Sequence, residues 1–97
     1  MSKLKIISDR KDSAEVVKGA ILAELKRLEI SLQATERKIR EFEERYKIPS
    51  EAFLSKFAAE DLAGGDSEYI TWAGELQIRD RLREELRDLQ EIEYVVN

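Results

Sequence analysis

The chain should fold as an all-α protein, a long antiparallel helical hairpin of coiled-coil character with a short connecting helix at its turn. Three features of the 97 residues point there. Ile21, Leu25, Leu28, Leu32, Thr35, Ile39, Phe42 and Tyr46 recur at alternating intervals of four and three, the spacing that keeps one stripe of a helix turned toward a partner helix. A second stripe, Tyr69, Trp72, Ala73, Leu76, Leu82, Leu86 and Leu89, follows further along. Between the two stand the single proline, Pro49, and the pair Gly64-Gly65, both of which interrupt helices. The composition, 39% charged and 42% apolar and rich in Ala, Glu, Lys, Leu and Arg, is that of long helices rather than of a sheet protein.

Residues 1–12 read as a polar N-terminal arm, and 13–97 as one helical hairpin domain. In the arm Leu4 and Ile6 alternate with Lys3 and Lys5, a weak strand signal. One strand has nothing to pair with in an otherwise helical chain, so the arm is expected to be disordered or to pair across a dimer. Asp12 or Ser13 should cap the first helix, with Glu15 in the first turn where the helix dipole favours an acid. That helix is predicted over about 13–46 and ends at Ile48-Pro49, because the residue before a proline is pushed out of the helical region. Glu36/Arg40, Glu41/Arg45 and Glu43/Lys47 are acid-to-base pairs four apart on its outer faces, each worth only about 0.2–0.5 kcal/mol. Ser50 opens a short helix over about 50–59, with Phe53, Leu54 and Phe57 on one side. Gly64-Gly65 then breaks the chain, and Asp66 or Ser67 caps a third helix over about 67–94. Its stripe is interrupted near Arg79. The rows Arg79, Arg83, Arg87 and Asp80, Glu84, Asp88 make a solvated, salt-bridged face. Phe42, Tyr46, Phe53, Phe57, Tyr69 and Trp72 are placed to close the hairpin at its turn. Closure within one chain and exchange between two chains bury the same seam, and the sequence fits both.

Composition bears on chemistry as well. With no cysteine there is no disulfide framework, thiolate metal site or cysteine nucleophile, and with no histidine the commonest general base and zinc ligand are missing. Asp61, Asp66 and Glu68 flank Gly64-Gly65 but lack the twelve-residue calcium-loop pattern, so they read as caps and a solvated turn. No G-x-x-x-x-G-K-[ST] phosphate loop occurs. The carboxylates fall on faces predicted to be exposed, where pKa values are not tuned for acid–base work. No catalytic, cofactor-binding or metal-ligating residue is therefore assigned, and the chain is not expected to be an enzyme. No apolar run approaches the ~20 residues of a membrane span, and the Met1–Ile7 stretch is too short for a secretory signal, so a cytoplasmic protein is the expectation.

Charge is unevenly placed. Residues 1–59 carry thirteen Lys/Arg against ten Asp/Glu, whereas residues 60–97 carry four Arg against eleven Asp/Glu. The basic residues of the arm, Lys3, Lys5, Arg10 and Lys11, are interrupted by Asp9 and Asp12, a thin footprint for nucleic acid, which is not expected as a partner. The acidic second half suits a basic protein instead. Apolar residues Val16, Val17, Ala20, Leu22, Ala23 and Ile30 widen the first helix beyond what one neighbouring helix covers. A surplus of this kind is removed by self-association or by a partner. The expected interface is Val17, Ile21, Leu22, Leu25, Leu28 and Leu32, with Tyr69 and Trp72 from the aromatic cluster. That cluster has two readings, as packing at the corner or as a partly exposed surface for a partner's segment. A homo-oligomer is expected.

The stretch Phe42-Glu43-Glu44-Arg45-Tyr46-Lys47-Ile48-Pro49-Ser50-Glu51-Ala52-Phe53 carries a resemblance. Together with Phe57, Gly65-Asp66 and Glu68-Tyr69-x-x-Trp72-Ala73-Gly74 it resembles short prokaryotic helical proteins of the kind found as antitoxin components of toxin–antitoxin operons. The similarity covers about half the chain. It implies a protein that binds and neutralises a small toxin, with no catalytic motif of its own. The other expectation, drawn from the seam alone, is a self-assembling coiled-coil scaffold or adaptor.

Overall fold

A computed structural model of the chain describes residues 4–60 and 67–96, the side chains of 57–60 excepted. In chain order the elements are β1 (Lys5–Ser8), α1 (Lys11–Tyr46), α2 (Ser50–Glu60), α3 (Ser67–Gln90) and β2 (Glu93–Val96). The protein is thus mostly helical, as its periodicity predicts, with a small sheet in addition. Contacts gather into two compact units, one made of Met1–Ser31 with Leu82–Asn97 and the other of Leu32–Arg81.

Within the first unit, β1 and β2 pair in parallel, with Lys5, Ile6, Ile7 and Ser8 beside Glu93, Tyr94, Val95 and Val96. This corrects two expectations. The strand signal in the arm does find a partner, inside its own chain, and the third helix stops at Gln90 rather than near Tyr94. The physical reason is the run Tyr94-Val95-Val96, whose aromatic and β-branched side chains lose freedom in a helix and sit well on a pleated strand. The last turn of α3 tightens as the Ile92 amide donates to the Leu89 carbonyl at 3.4 Å, and the Glu93 amide crosses to the Leu4 carbonyl at 2.9 Å. The start of α1 also differs from expectation. Ser8 Oγ accepts from the Arg10 amide and donates to the Arg10 carbonyl, and that carbonyl accepts from Ala14 at 3.2 Å. The serine thereby turns the chain so that α1 begins at Lys11, two residues before the expected start, and Asp12 falls in the first turn. Among the described residues of this unit, Ala14, Leu28 and Leu86 are the buried apolar side chains. Lys18 Nζ lies 5.8 Å over the Tyr94 ring, a cation–π contact.

The second unit is an aromatic corner. Lys47 closes α1 in the left-handed conformation, with φ of 59°, the position that commonly ends a helix. Ile48-Pro49 follow, and the Pro49 carbonyl accepts the Phe53 amide at 3.1 Å as α2 begins. Ile39, Phe53, Trp72 and Leu76 form the buried core, with Phe42, Tyr46, Ile48, Tyr69 and Ala73 packed against it. Trp72 is 0% exposed. The Phe53 ring stacks on it at 3.9 Å between centroids, and Phe42 and Tyr46 lie nearly parallel to it at 5.6 and 5.8 Å. Tyr69 meets Tyr46 and Phe53 edge-on. Of the predicted turn features, Gly64-Gly65, Asp61, Asp66 and the side chain of Phe57 lie outside the described residues.

Candidate functional site

The eight positions of the seam are all buried or half-buried, so the stripe read from the sequence is the inward side of α1. Its opposite side is set by the same helical period. Val16, Ala20, Ala23, Arg27 and Ile30 recur at four-three spacing half a turn away from the seam and are all exposed. Val16 is 73% exposed and Ile30 59%, with Leu22 at 57% beside them. Around Gly19, Ala20 and Ala23 the side chains are small, and a methyl group placed on Gly19 would meet nothing within 4 Å. A second helix or loop could therefore approach the backbone of α1 closely along this side. Single exposed apolar residues are ordinary on a protein surface, but several on one side of a helix, here interrupted by Arg27, are the kind of patch that marks an interaction surface.

The expected interface residues divide. Val17 and Leu22 lie on the free surface, Ile21, Leu25, Leu32 and Tyr69 are half-buried, and Leu28 and Trp72 are fully enclosed. The two enclosed residues are part of the chain's own packing in this conformation and offer nothing to a partner. Val16 and Ile30, by contrast, are free. The sequence signal that separates them from the seam is the half-turn offset, visible once the seam's register is fixed.

The polar wiring of the corner lies beyond pattern reading. Glu43 Oε2 accepts from both the Ser50 amide, at 2.9 Å, and the Ser50 hydroxyl, at 2.7 Å. Ser50 Oγ in turn accepts from Trp72 Nε1 at 3.0 Å. The carboxylate thus sits at the N-terminus of α2, where free amides and the dipole favour a negative charge. It simultaneously gives the fully buried indole N–H a polar neighbour. No buried side-chain nitrogen or oxygen among the described residues lacks a partner.

A cleft of about 300 Å³ opens beside this corner, lined by Lys38, Phe42, Arg45, Glu68, Thr71 and Glu75 among others. Its two cations each have an acidic partner. Arg45 and the Tyr46 hydroxyl both bond Glu68, and Lys38 Nζ stands 3.6 Å from Glu75. The only described groups with a shifted pKa are an exposed pair on α1, where the Arg27 guanidinium grips Glu24 at 2.6 and 2.7 Å. That hydrogen bond holds the Glu24 carboxyl below its ordinary value and Arg27 above its own. Both are open to water, which marks a surface ion pair rather than a tuned catalytic group. Among the described residues, no three acidic side chains gather where they could hold a metal ion, and no helix is long and apolar enough to cross a membrane.

The acidic second half is visible at the end of α3. There Glu84, Glu85, Asp88 and Glu93 are exposed, with Arg83 and Arg87 among them. Compared with family models, curated proteins and solved structures, the chain finds no match in any of the three.

Proposed function

We propose that this chain is a non-enzymatic protein-binding module, an antiparallel helical hairpin that neutralises a small basic protein in the manner of an antitoxin. The observation that carries the binding reading is the exposed strip Val16, Leu22 and Ile30 with its small neighbours, on the side of α1 that its own seam leaves free. The hairpin is supported by partner order. As residue numbers rise from Lys38 through Phe42 to Tyr46 on α1, their partners fall from Glu75 through Trp72 to Tyr69 on α3. In the other unit Lys18 meets Tyr94, and Glu85 acts on Arg27. The excess of acid over base at the end of α3 favours a cationic partner and steers its approach. Apolar anchors along α1 would then fill a groove in that partner, the helix-in-groove mode of recognition. The toxin-neutralising form of the reading rests on the resemblance carried by Phe42–Phe53 and Tyr69–Gly74.

The test is purification of the tagged chain from its own host, followed by native mass spectrometry. A stoichiometric small basic protein that is toxic when expressed alone is the expected result, lost when Leu22 and Ile30 are both replaced by lysine. A chain that comes back only as copies of itself overturns the neutraliser and leaves a coiled-coil scaffold.

A further inference from the structure

The two units differ in what holds each together. In the second, Ile39, Phe53, Trp72 and Leu76 make one buried cluster, tied down by the hydrogen bonds that run from Trp72 through Ser50 to Glu43. In the first, the buried apolar side chains among the described residues are Ala14, Leu28 and Leu86, while Leu4, Ile7, Val16, Leu22 and Ile30 are more than half exposed. Its ladder is a parallel pair of four-residue strands, an arrangement that is marginal alone. Apolar burial also lapses along both long helices. On α3 no side chain in 77–85 is buried, and Arg79 interrupts the stripe between Leu76 and Leu86. On α1 the seam turns polar at Thr35. Burial interrupted in this way lets each unit open with its own free energy.

We propose that residues 82–96 are a latch on the first half of α1, which releases while the aromatic corner stays folded and so widens the apolar face that α1 can offer. Beyond the gap in burial, α3 is anchored by Leu86, with Leu82 and Leu89 half-buried. The Tyr94 ring lies under Lys18, and the Glu85 charge acts on Arg27. Lys18, Arg27 and Glu85 are all exposed, so water replaces these contacts at little cost. The strands are then the main tie between the chain's end and its beginning. A lone helix cannot bury its own side chains, so Leu28, 1% exposed, is covered by the segments packed on α1 in this unit. Release bares Leu28 with the half-buried Ile21 and Leu25, beside Val17 and Leu22, which are already exposed. Closed, the chain shows a partner only the outer side of α1. Open, it shows apolar side chains around most of that stretch, and the latch becomes an internal competitor for any helix that would take its place. The opening is rare enough to leave bulk unfolding a single transition. The inference rests on the packing of this unit and not on the neutraliser reading.

The experiment is amide exchange on the full chain at low denaturant. The Ile6, Leu86 and Val95 amides should exchange through one shared opening, at least about tenfold faster than those of Ile39, Trp72 and Leu76. Ile39→Val, which trims the corner, should speed the Trp72 and Leu76 amides by roughly two- to tenfold and leave the latch amides at their original rate. Val95→Pro should speed the Ile6 and Leu86 amides by about tenfold or more, with the emission of Trp72 unchanged. Alkylation of a Leu28→Cys thiol, in a chain with no other cysteine, should follow the opening of the latch amides measured in that same variant. One exchange rate for both groups overturns the proposal, as does an Ile39→Val effect shared equally between them. So does a Val95→Pro chain that exposes Trp72 or leaves Leu86 unmoved, or a thiol that reacts only when the corner opens.

Discussion

At the scale of single residues, the corner between α1 and α2 concentrates the constraints. Lys47 holds a left-handed backbone, where a Cβ crowds the following carbonyl and costs about 1–2 kcal/mol relative to the right-handed form. Glycine escapes that cost and is the usual residue just past a helix end. Lys47→Gly should therefore stabilise the protein by roughly 1 kcal/mol, after its greater unfolded-state entropy is set against the relieved strain. In a domain of this size that raises the melting temperature by about 4–8 °C. A calorimetric midpoint that stays put or falls would show that the Lys47 side chain contributes to the corner beyond its backbone. The neighbouring Glu43–Ser50–Trp72 chain of hydrogen bonds shows why residue-scale wiring resists sequence reading. Ser50 after Pro49 is legible as a helix start, and Glu43 as one end of a pair with Lys47. What places the Glu43 carboxylate on Ser50 instead is the turn at Lys47–Pro49, which folds the chain back by seven residues. Nothing in the spacing of charges encodes that choice.

At the scale of elements, legibility follows sequence distance. The first helix was readable because eight seam positions repeat locally, and each is inward in the fold. The short helix was readable because Pro49 and Ser50 mark its start, and it runs over Ser50–Glu60. The sheet was not, because its two strands are four residues each and stand at opposite ends of the chain. A strand that short carries little pattern, and its partner is defined only by the fold that brings the ends together. Tyr94-Val95-Val96 held the missing signal, since a β-branched pair after an aromatic is a poor way to finish a helix. The ladder makes a prediction specific to alternate residues. The Val95 amide faces β1 and the Val96 amide faces away, given the register set by Glu93 and Leu4. Val95→Pro should thus abolish exchange protection at Ile6 and Ser8, whereas Val96→Pro, at an edge-facing position, should largely preserve it. Equal loss in the two variants would mean that the strands pair in some other register.

At the scale of the whole molecule, the balance of buried and exposed apolar surface decides the functional reading. Val16, Leu22 and Ile30 of α1 are 73%, 57% and 59% exposed, an apolar surplus that a partner would cover. The sequence disclosed that a surplus exists but placed it mostly on the seam, because it could not tell which apolar residues the chain would use for itself. Leu28 and Ile30 make the distinction measurable, being two residues apart on α1 and both branched aliphatics, yet 1% and 59% exposed. Leu28→Ala removes packed methyl groups and leaves a cavity, and should cost about 2–5 kcal/mol. Ile30→Lys replaces a side chain already in water on a solvated helix side, where substitutions stay within about 0.5 kcal/mol. Urea unfolding at low protein concentration separates the two: the midpoint should fall sharply for Leu28→Ala and hardly move for Ile30→Lys, with the slope unchanged in both. The same Ile30→Lys chain should fail to bind the cationic partner while remaining fully folded. If Ile30→Lys instead unfolds as readily as Leu28→Ala, the outer side of α1 is already covered in the folded state, and stability must then rise with protein concentration as it does for an obligate oligomer. A folded, stable Ile30→Lys variant that has lost its partner assigns the outer side of α1 to recognition, and Leu28 with the rest of the seam to folding.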